Sequence, residues 1–337
     1  MSSRGGLARS AQKLAAALEE GLPISPEPFR NAANSLGVDQ DSVVSLTEEL
    51  LKTGYLRSFG VFWNIPPQYR AYLFGAAVVP EKLERTVLWI NGIEAVTHNY
   101  QRDHDINLWF TAIFRDEASA LRLCEKLSKE GTPCVALGTV RQIRLRPSFA
   151  GVLTRESAVP IAAAPLQNIQ KEIIAILERG LKPRRHLFAD IAPLIGLGEH
   201  ELLDNLAELK RLGYLRRVGA SVNHYAAGYL SNSLVACDFT GASPDEAIHR
   251  AEMAIRERPW ASHCYLRRVV RSSLAEPWRF NLFTMIHARN SYELHEREKL
   301  IAESLAPGSP GRIISMRTLM EYKKTRGVYY GKGNEEK

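Results

Sequence analysis

The chain has 337 residues, a formal net charge of +7 and 45% hydrophobic residues. Its length predicts two or more domains, because one ordinary hydrophobic core does not grow to this size. No apolar run approaches the roughly 20 residues that span a membrane, and the N-terminus lacks the pattern of a signal peptide. We therefore expect a cytoplasmic protein without a membrane segment.

The positive charge, with a sequence pI of about 9.2, favours a polyanionic partner. It does not choose between nucleic acid and a polycarboxylate ligand. The four cysteines include no C-x-x-C pair, so no metal site is expected and a disulfide framework is unsupported. Their mostly apolar neighbours indicate small buried side chains instead.

The first 66 residues are predicted to form a winged helix-turn-helix domain. Short helical segments broken by Gly and Pro end at Gly54, and the following "YLRSFGVFWN" has the pattern of a short hairpin. Residues 67–146 then alternate strands and helices in the order β-α-β-β-α-β, which is the order of a ferredoxin-like domain with helices on one face.

The rest of the chain repeats this arrangement. "GYLRRVGASVN" matches "GYLRSFGVFWN", and a His-x-Tyr-x-Arg triplet occurs once in each half. Such ordered matches indicate a duplicated unit, so the fold class is α+β, a tandem repeat of winged helix-turn-helix plus ferredoxin-like βαββαβ domains. The remaining segments are a Pro-, Ala- and Ser-rich linker at 147–165, a second helix-turn-helix domain at 166–225, a second ferredoxin-like domain at 226–327 and a basic, polar tail at 328–337.

A helix-turn-helix followed by this sheet resembles the Lrp/AsnC family, which implies transcriptional regulation as the default function. A recognition helix, however, needs Lys, Arg, Asn or Gln for bases and phosphates. Both predicted recognition helices are acidic instead, and their carboxylates would oppose the electrostatic attraction to DNA. These carboxylates are Asp39, Asp41, Glu48 and Glu49 in the first helix and Glu199, Glu201, Asp204 and Glu208 in the second. A DNA partner is therefore not expected.

Alternation along the predicted strands places a polar set on the sheet face that the helices leave open, because residues i, i+2 and i+4 share a face. In copy two, Ser262, Cys264 and Leu266 are predicted to face the helices. The open face then carries His263, Tyr265, Arg267, Asn281, Phe283, Met285 and His287. The equivalents in copy one are His98, Tyr100, Arg102, Asn107, Trp109 and Thr111, where Thr97, Asn99 and Gln101 would have to face the helices.

Several motifs together resemble the siroheme decarboxylase family, whose members are built from two Lrp/AsnC-like proteins, here in one chain. They are "HNYQRDHDINLWFT", "SHCYLRR", "WRFNLFTMIH", "GYLRRVGASVNHYAAGY" and "RTLMEYKKTRG". The resemblance implies removal of carbon dioxide from the C12 and C18 acetates of siroheme, giving 12,18-didecarboxysiroheme for haem or haem d1 synthesis. It implies no separate cofactor, because the siroheme iron enters with the substrate.

On this resemblance, His263 and His98 are expected to donate protons, assisted by Tyr265 and Tyr100. Arg267 and Arg102 are expected to hold substrate carboxylates, since Arg binds carboxylates through two parallel hydrogen bonds. The other expected substrate contacts are His224, His287, Asn281, Trp278, Phe283, Met285, Trp109, Asn107, Arg216 and Arg217. For Arg216 and Arg217 the alternative is a solvated hairpin.

Three functional hypotheses remain open at this point: a siroheme decarboxylase, an Lrp/AsnC-type DNA-binding regulator, and a tetrapyrrole-binding sensor without catalysis. The sequence also leaves open whether one site or two operate. We expect the two ferredoxin-like sheets to pair as a pseudo-dimer within the chain, which would bury both free edges. A homo-oligomer is compatible with the sequence.

Overall fold

The computed structural model of the chain describes residues 2–145, 161 and 165–331. It divides into two compact units, each of which draws on both copies of the repeat. The helical unit holds the described residues of Met1–Pro67, Ser148–Ala227 and Val328–Lys337, and the sheet unit consists of Gln68–Pro147 and Gly228–Gly327. Apart from 161 and 165, the predicted linker at 147–165 lies outside the described residues.

The two copies contain corresponding elements. Those of copy one are α1 (Ser2–Glu20), α2 (Arg30–Leu36), α3 (Gln40–Lys52), β1 (Leu56–Trp63), β2 (Arg70–Ala76), α4 (Pro80–Gly92), β3 (Val96–Arg102), β4 (Leu108–Phe114), α5 (Glu117–Lys129) and β5 (Cys134–Leu145). Those of copy two are α6 (Asn168–Leu177), α7 (Leu187–Ile191), the 3-10 helix Ala192–Ile195, α8 (Glu199–Arg211), β6 (Leu215–Val222), β7 (Ser231–Cys237), α9 (Pro244–Ile255), β8 (Ala261–Ser272), β9 (Leu282–Ala288), α10 (Ser291–Leu305), the 3-10 helix Pro310–Arg312 and β10 (Ile313–Lys324).

In the helical unit, the prediction of two short hairpins is wrong. β1 and β6 are each one continuous strand, and they pair with each other in antiparallel fashion, with Gly60 opposite Gly219. The glycine in each pattern is not a turn residue. Gly219 has a φ of 158°, and a Cβ there would lie 2.1 Å from the Leu18 carbonyl oxygen, so this glycine allows α1 to approach the strand.

In the sheet unit, each copy forms a four-stranded ferredoxin-like sheet, in the order β3-β4-β2-β5 in copy one and β8-β9-β7-β10 in copy two. β5 pairs with β8, and β10 pairs with β3, so the eight strands close on themselves. The expected pairing of the two sheets within the chain is confirmed. Both free edges of each sheet are used by the other copy.

The helices pack on the outer side of this closed sheet. In copy two, Cys264 and Leu266 of β8 share a core with Ala251 of α9 and Leu294 of α10. A separate cluster fills the inner side and mixes the copies, with Trp109 of β4 and Phe283 of β9 among its members. The inner face is therefore the face that the alternation pattern left open for a ligand.

Candidate functional site

His263, Tyr265 and Arg267 occupy alternate positions of β8 and follow the inner face. In the register with β9, His263 lies opposite Met285 and Tyr265 lies opposite Phe283. His263 and Tyr265 are half-buried, while Arg267 is buried. The predicted orientation of this triplet is consistent with the structure.

The prediction that Ser262 faces the helices is wrong, because β8 contains a bulge. Ala261 lies opposite Ile286 and His263 lies opposite Met285, which leaves Ser262 as the extra residue of the strand. A bulge interrupts the alternation and redirects side chains. The Ser262 hydroxyl accordingly lies 2.7 Å from Nδ1 of His263 and 2.9 Å from Nε2 of His287.

Copy one has the same bulge but a poorer polar cluster. Thr97 is the extra residue of β3, and its hydroxyl lies 2.9 Å from Nδ1 of His98. Because Ala112 in copy one corresponds to Ile286 in copy two, the position of His287 is taken by Ile113. The second histidine is therefore missing from copy one.

The remaining polar residues of β3 turn outwards, as the alternation required. The side-chain amide of Asn99 donates to Oδ1 of Asn91 on α4, at 3.0 Å. Gln101 accepts a hydrogen bond from the Tyr322 hydroxyl at 2.7 Å. These contacts give both amides a partner on a neighbouring element, although Oδ1 of Asn99 is buried without a partner among the described residues.

Arg102 of copy one reaches towards the histidine cluster of copy two. Its Nη1 donates to the carbonyl oxygen of Met316 at 3.1 Å and to the Thr318 hydroxyl at 2.9 Å, and Nη2 lies 3.8 Å from Sδ of Met285. Met285 is the cross-strand neighbour of His263.

Arg102 is also linked to the same cluster by hydrogen bonds through Thr318 and Asn232. The Thr318 hydroxyl donates to Oδ1 of Asn232 at 2.5 Å, and Asn232 pairs with His287 across β7 and β9. The inner face thus combines an arginine of one copy with the histidines of the other. We call Arg102, Met285, Ser262, His263 and His287 the composite site.

Arg102 lies where β3 of copy one pairs with β10 of copy two. Arg267 takes the corresponding place where β8 of copy two pairs with β5 of copy one. Its Nη1 donates to the Thr139 hydroxyl at 3.0 Å, and its guanidinium carbon lies 4.8 Å from the Tyr265 ring centroid. The residue is 6% exposed, and among the described residues it has no carboxylate partner. Burial lowers the pKa of Arg267 to about 10, so it still carries its charge at neutral pH.

Arg267 and His263 belong to one triplet but are not neighbours in the structure. The Cα atoms of Arg267 and His263 are four residues apart on β8, which is about 13 Å in an extended strand. The arginine that approaches the His263 cluster is Arg102 of the other copy. The sequence contained no signal for this exchange, because it depends on how the two sheets pair.

The predicted aromatic contacts form the packed centre of the inner face. The ring centroids of Trp109 and Trp278 are 5.4 Å apart, and those of Trp109 and Phe283 are 6.2 Å apart. Trp109 is 1% exposed and Phe283 is 2% exposed, and Trp278 donates its indole N–H to the Phe280 carbonyl. Each ring is covered by the others, so these residues serve packing in this structure.

Asn107 and Asn281 make equivalent backbone contacts in the two copies. Oδ1 of Asn107 accepts from the N–H of Val78 at 3.0 Å, and Oδ1 of Asn281 accepts from the N–H of Phe239 at 2.8 Å. Each amide thus holds the segment that follows the first strand of its sheet. The expected substrate contact of these two residues would have to compete with this structural role.

Three further predicted residues belong to the helical unit. Arg217 is buried, donates to the carbonyl oxygen of Ala220 at 2.9 Å, and places its guanidinium 3.9 Å from the Phe62 ring centroid. Arg216 also lies over Phe62, at 5.9 Å. His224 is buried beside the ring of Tyr225. The solvated hairpin considered for Arg216 and Arg217 is not formed, because β6 is paired along its length.

Within the described part of the chain, no group of three or more His, Cys, Asp or Glu side chains is placed to hold a metal ion. All four cysteines are free and buried. No helix among the described residues combines the length and apolar character needed to cross a membrane.

Comparison with known proteins gave consistent matches. The family model of the AsnC-like ligand binding domain matches residues 69–137 and 226–323, and that of the siroheme decarboxylase NirDL-like HTH domain matches residues 11–57. The siroheme decarboxylase of Hydrogenobacter thermophilus is 29% identical over 336 residues, which is 94% of each chain. The siroheme decarboxylase beta subunit of Oleidesulfovibrio alaskensis is 31% identical over 173 residues, which is 50% of this chain and 99% of that subunit.

A solved structure agrees with these matches. The crystal structure of the siroheme decarboxylase NirDL in co-complex with an iron-uroporphyrin III analogue has a TM-score of 0.68 and 25% sequence identity. The similarity covers 96% of this chain and 95% of that one. It therefore extends through both copies of the repeat.

Proposed function

This chain belongs to the siroheme decarboxylase family, and on that premise we propose that it removes carbon dioxide from the C12 and C18 acetates of siroheme. The product would be 12,18-didecarboxysiroheme. The observation that carries the proposal is Arg267, a buried guanidinium with no carboxylate partner among the described residues. A buried charge of this kind is costly unless a counter-ion is supplied. A polycarboxylate substrate would supply it.

Recognition of siroheme is assigned to the two inner-face arginines. Siroheme carries eight carboxylates, and guanidinium groups bind carboxylates with charge-assisted hydrogen bonds. Thr318 and Thr139 hold Nη1 of Arg102 and of Arg267 through their hydroxyls. Each arginine also lies over a tyrosine ring of its own strand, Tyr100 or Tyr265. These contacts orient the guanidinium groups before the substrate arrives, which lowers the entropic cost of binding.

The chemistry is assigned to the composite site. The bond between the methylene carbon and the carboxylate carbon breaks, its electron pair stays on the methylene carbon, and carbon dioxide leaves. A proton from His263 then converts the methylene group to a methyl group. Histidine suits this role because its charge changes near neutral pH. Repetition at the second acetate accounts for both losses.

No cofactor separate from the substrate is part of this proposal, because the siroheme iron enters with siroheme. We also propose a cytoplasmic location, since the four cysteines are free and buried and free cysteines are typical of reducing compartments. His98 and Arg267 would form the second, simpler site of the chain.

The test is incubation of the purified protein with siroheme under anaerobic conditions, followed by mass spectrometry of the tetrapyrrole. The proposal expects the loss of two carbon dioxide units, in two successive steps. A shifted siroheme absorbance spectrum with an unchanged mass would instead identify a sensor without catalysis. Unchanged siroheme together with sequence-specific, salt-sensitive DNA retention would identify a regulator.

A further inference from the structure

Ser262 is a buried hydroxyl that bridges two histidines of the composite site. It is fully buried, and its Oγ lies 2.7 Å from Nδ1 of His263 and 2.9 Å from Nε2 of His287. A longer contact of 3.5 Å joins it to the carbonyl oxygen of Met285. The two shorter distances identify the ring nitrogens as its main partners.

A hydroxyl has one proton to donate and lone pairs to accept others. If Ser262 donates to Nδ1 of His263, then His263 in its neutral form carries its proton on Nε2. The Ser262 oxygen in turn accepts a hydrogen bond from the N–H at Nε2 of His287. Through this bridge, the tautomer of His263 depends on whether Nε2 of His287 carries a proton.

We propose that Ser262 is a positioning residue that fixes His263 as a proton donor and links it to His287. The inference rests on the proposed function. The step starts with His287 protonated on both ring nitrogens and with His263 neutral. When His263 gives its Nε2 proton to the methylene carbon, its Nδ1 takes the Ser262 proton, and Ser262 takes the proton from Nε2 of His287, which becomes neutral. The electron pair of the broken carbon–carbon bond forms the new C–H bond, so His287 supplies the net proton and neither ring becomes anionic.

Copy one lacks the bridge. Thr97 contacts His98 at 2.9 Å, but Ile113 stands where copy two has His287. A threonine hydroxyl with one histidine can orient that ring but has no second histidine from which to draw a proton. The relay is therefore a property of copy two, and it makes the two sites unequal.

Charged and titratable groups surround the pair on several elements. Arg102 approaches from β3 through Met285, and Arg297 of α10 donates to the His287 carbonyl oxygen while paired with Glu293. Arg144 of β5 binds the Ala261 carbonyl oxygen next to the bulge, and Tyr265 follows on β8 itself. A relay within this setting responds to pH through two coupled groups, so its activity profile should differ from that of a single histidine.

The experiment compares Ser262→Ala, Ser262→Thr and the control Ser233→Ala in the full chain. Ser233 is also fully buried in the sheet, and its hydroxyl has no hydrogen-bond partner among the described residues, so its removal tests the loss of a buried hydroxyl alone. Steady-state decarboxylation of siroheme across pH gives kcat and KM. Two-dimensional spectra of the protein with 15N-labelled histidine report the tautomers of His263 and His287 without substrate.

We expect Ser262→Ala to lower kcat by about tenfold or more, with KM nearly unchanged, and to alter the pH profile. Ser262→Thr should keep most of the wild-type kcat, because it keeps the hydroxyl. Ser233→Ala should have the wild-type kcat. In the spectra, Ser262→Ala should remove the preference of His263 for the Nε2–H tautomer. Unchanged ring spectra, or a wild-type kcat in Ser262→Ala, would overturn the inference. If the wild type does not consume siroheme, the proposed function fails, while the ring spectra still decide whether Ser262 sets the tautomer.

Discussion

Arg267 combines an unfavourable position for folding with a favourable one for binding. Burial lowers its pKa from the ordinary value of a guanidinium to about 10. The folded state therefore binds this proton more weakly than the unfolded chain does. The buried charge therefore lowers the free energy of unfolding at neutral pH. This loss of stability disappears only as the pH rises above about 10. A site that binds anions can retain such a residue for function.

Replacing Arg267 by Met should therefore separate stability from binding. We expect the ligand-free variant to be as stable as the wild type or more stable, because an unpaired buried charge is replaced by an apolar chain of similar volume. Affinity for siroheme should fall by roughly 10- to 100-fold, the value of a hydrogen-bonded charge. Denaturant unfolding and spectroscopic titration measure the two quantities.

Arg268→Met is the matched control for this prediction. Arg268 is the neighbouring residue on β8, but it is exposed and paired with Glu117, so its loss should change siroheme affinity little. Equal losses of affinity in the two variants would show that only the general positive charge of the strand matters.

His263 and His98 stand at equivalent positions but have different surroundings. Ser262 contacts both His263 and His287, whereas Thr97 contacts His98 and the position of His287 is taken by Ile113. We expect His263→Ala to lower kcat by about 100-fold or more, and His98→Ala to have a clearly smaller effect. Single-turnover assays that follow the monodecarboxylated intermediate check this. Equal losses of kcat in the two variants would contradict this ranking.

At the residue level, sequence reasoning found the inner-face groups but not their partners. Alternation placed His263, Tyr265 and Arg267 on the correct face, because the rule needs only the local strand. It misplaced Ser262, because a one-residue bulge leaves no mark in a His-x-Tyr-x-Arg pattern. It did not reveal that Arg102 approaches Met285, because this contact joins residues 183 positions apart in the chain.

Among the elements, those with a local chemical signal were predictable. Ser243, Pro244 and Glu246 form a pattern typical of a helix start, and α9 does begin there, where the Ser243 hydroxyl accepts from the N–H of Glu246. The order of strands and helices in the sheet unit was predictable for the same reason. The wing hairpins were not, because a strand with a central glycine has the same pattern as a tight hairpin.

Gly219 tests the explanation given for β6. Gly219→Ala should lower the free energy of unfolding by about 3 kcal/mol, because a Cβ would lie against the Leu18 carbonyl oxygen at 2.1 Å and the φ of 158° disfavours a side chain. Chemical denaturation measures the change. Gly92→Ala is the control, since nothing lies within 4 Å of the corresponding Cβ. A Gly219 variant as stable as the Gly92 variant would show that α1 can move away at little cost.

In the molecule as a whole, the two copies depend on each other at every sheet. β1 pairs with β6, β5 with β8, and β10 with β3, and each of these ladders joins one copy to the other. The composite site has the same dependence, because Arg102 comes from one copy and His263 from the other. Duplication therefore did not produce two independent enzymes in one chain. The copies differ at the site itself, where one has His287 and the other has Ile113 at the corresponding position.

This dependence predicts how the chain behaves when it is cut. Segments 1–155 and 156–337, divided within the predicted linker, should co-purify as a one-to-one complex when produced together, since each completes the sheet edges of the other. The complex should decarboxylate siroheme, because it restores Arg102 beside the His263 cluster. Each segment produced alone exposes two unpaired edges and should self-associate or aggregate without activity. Size-exclusion chromatography with mass determination, followed by the siroheme assay, distinguishes these outcomes, and full activity from segment 156–337 alone would exclude a composite site.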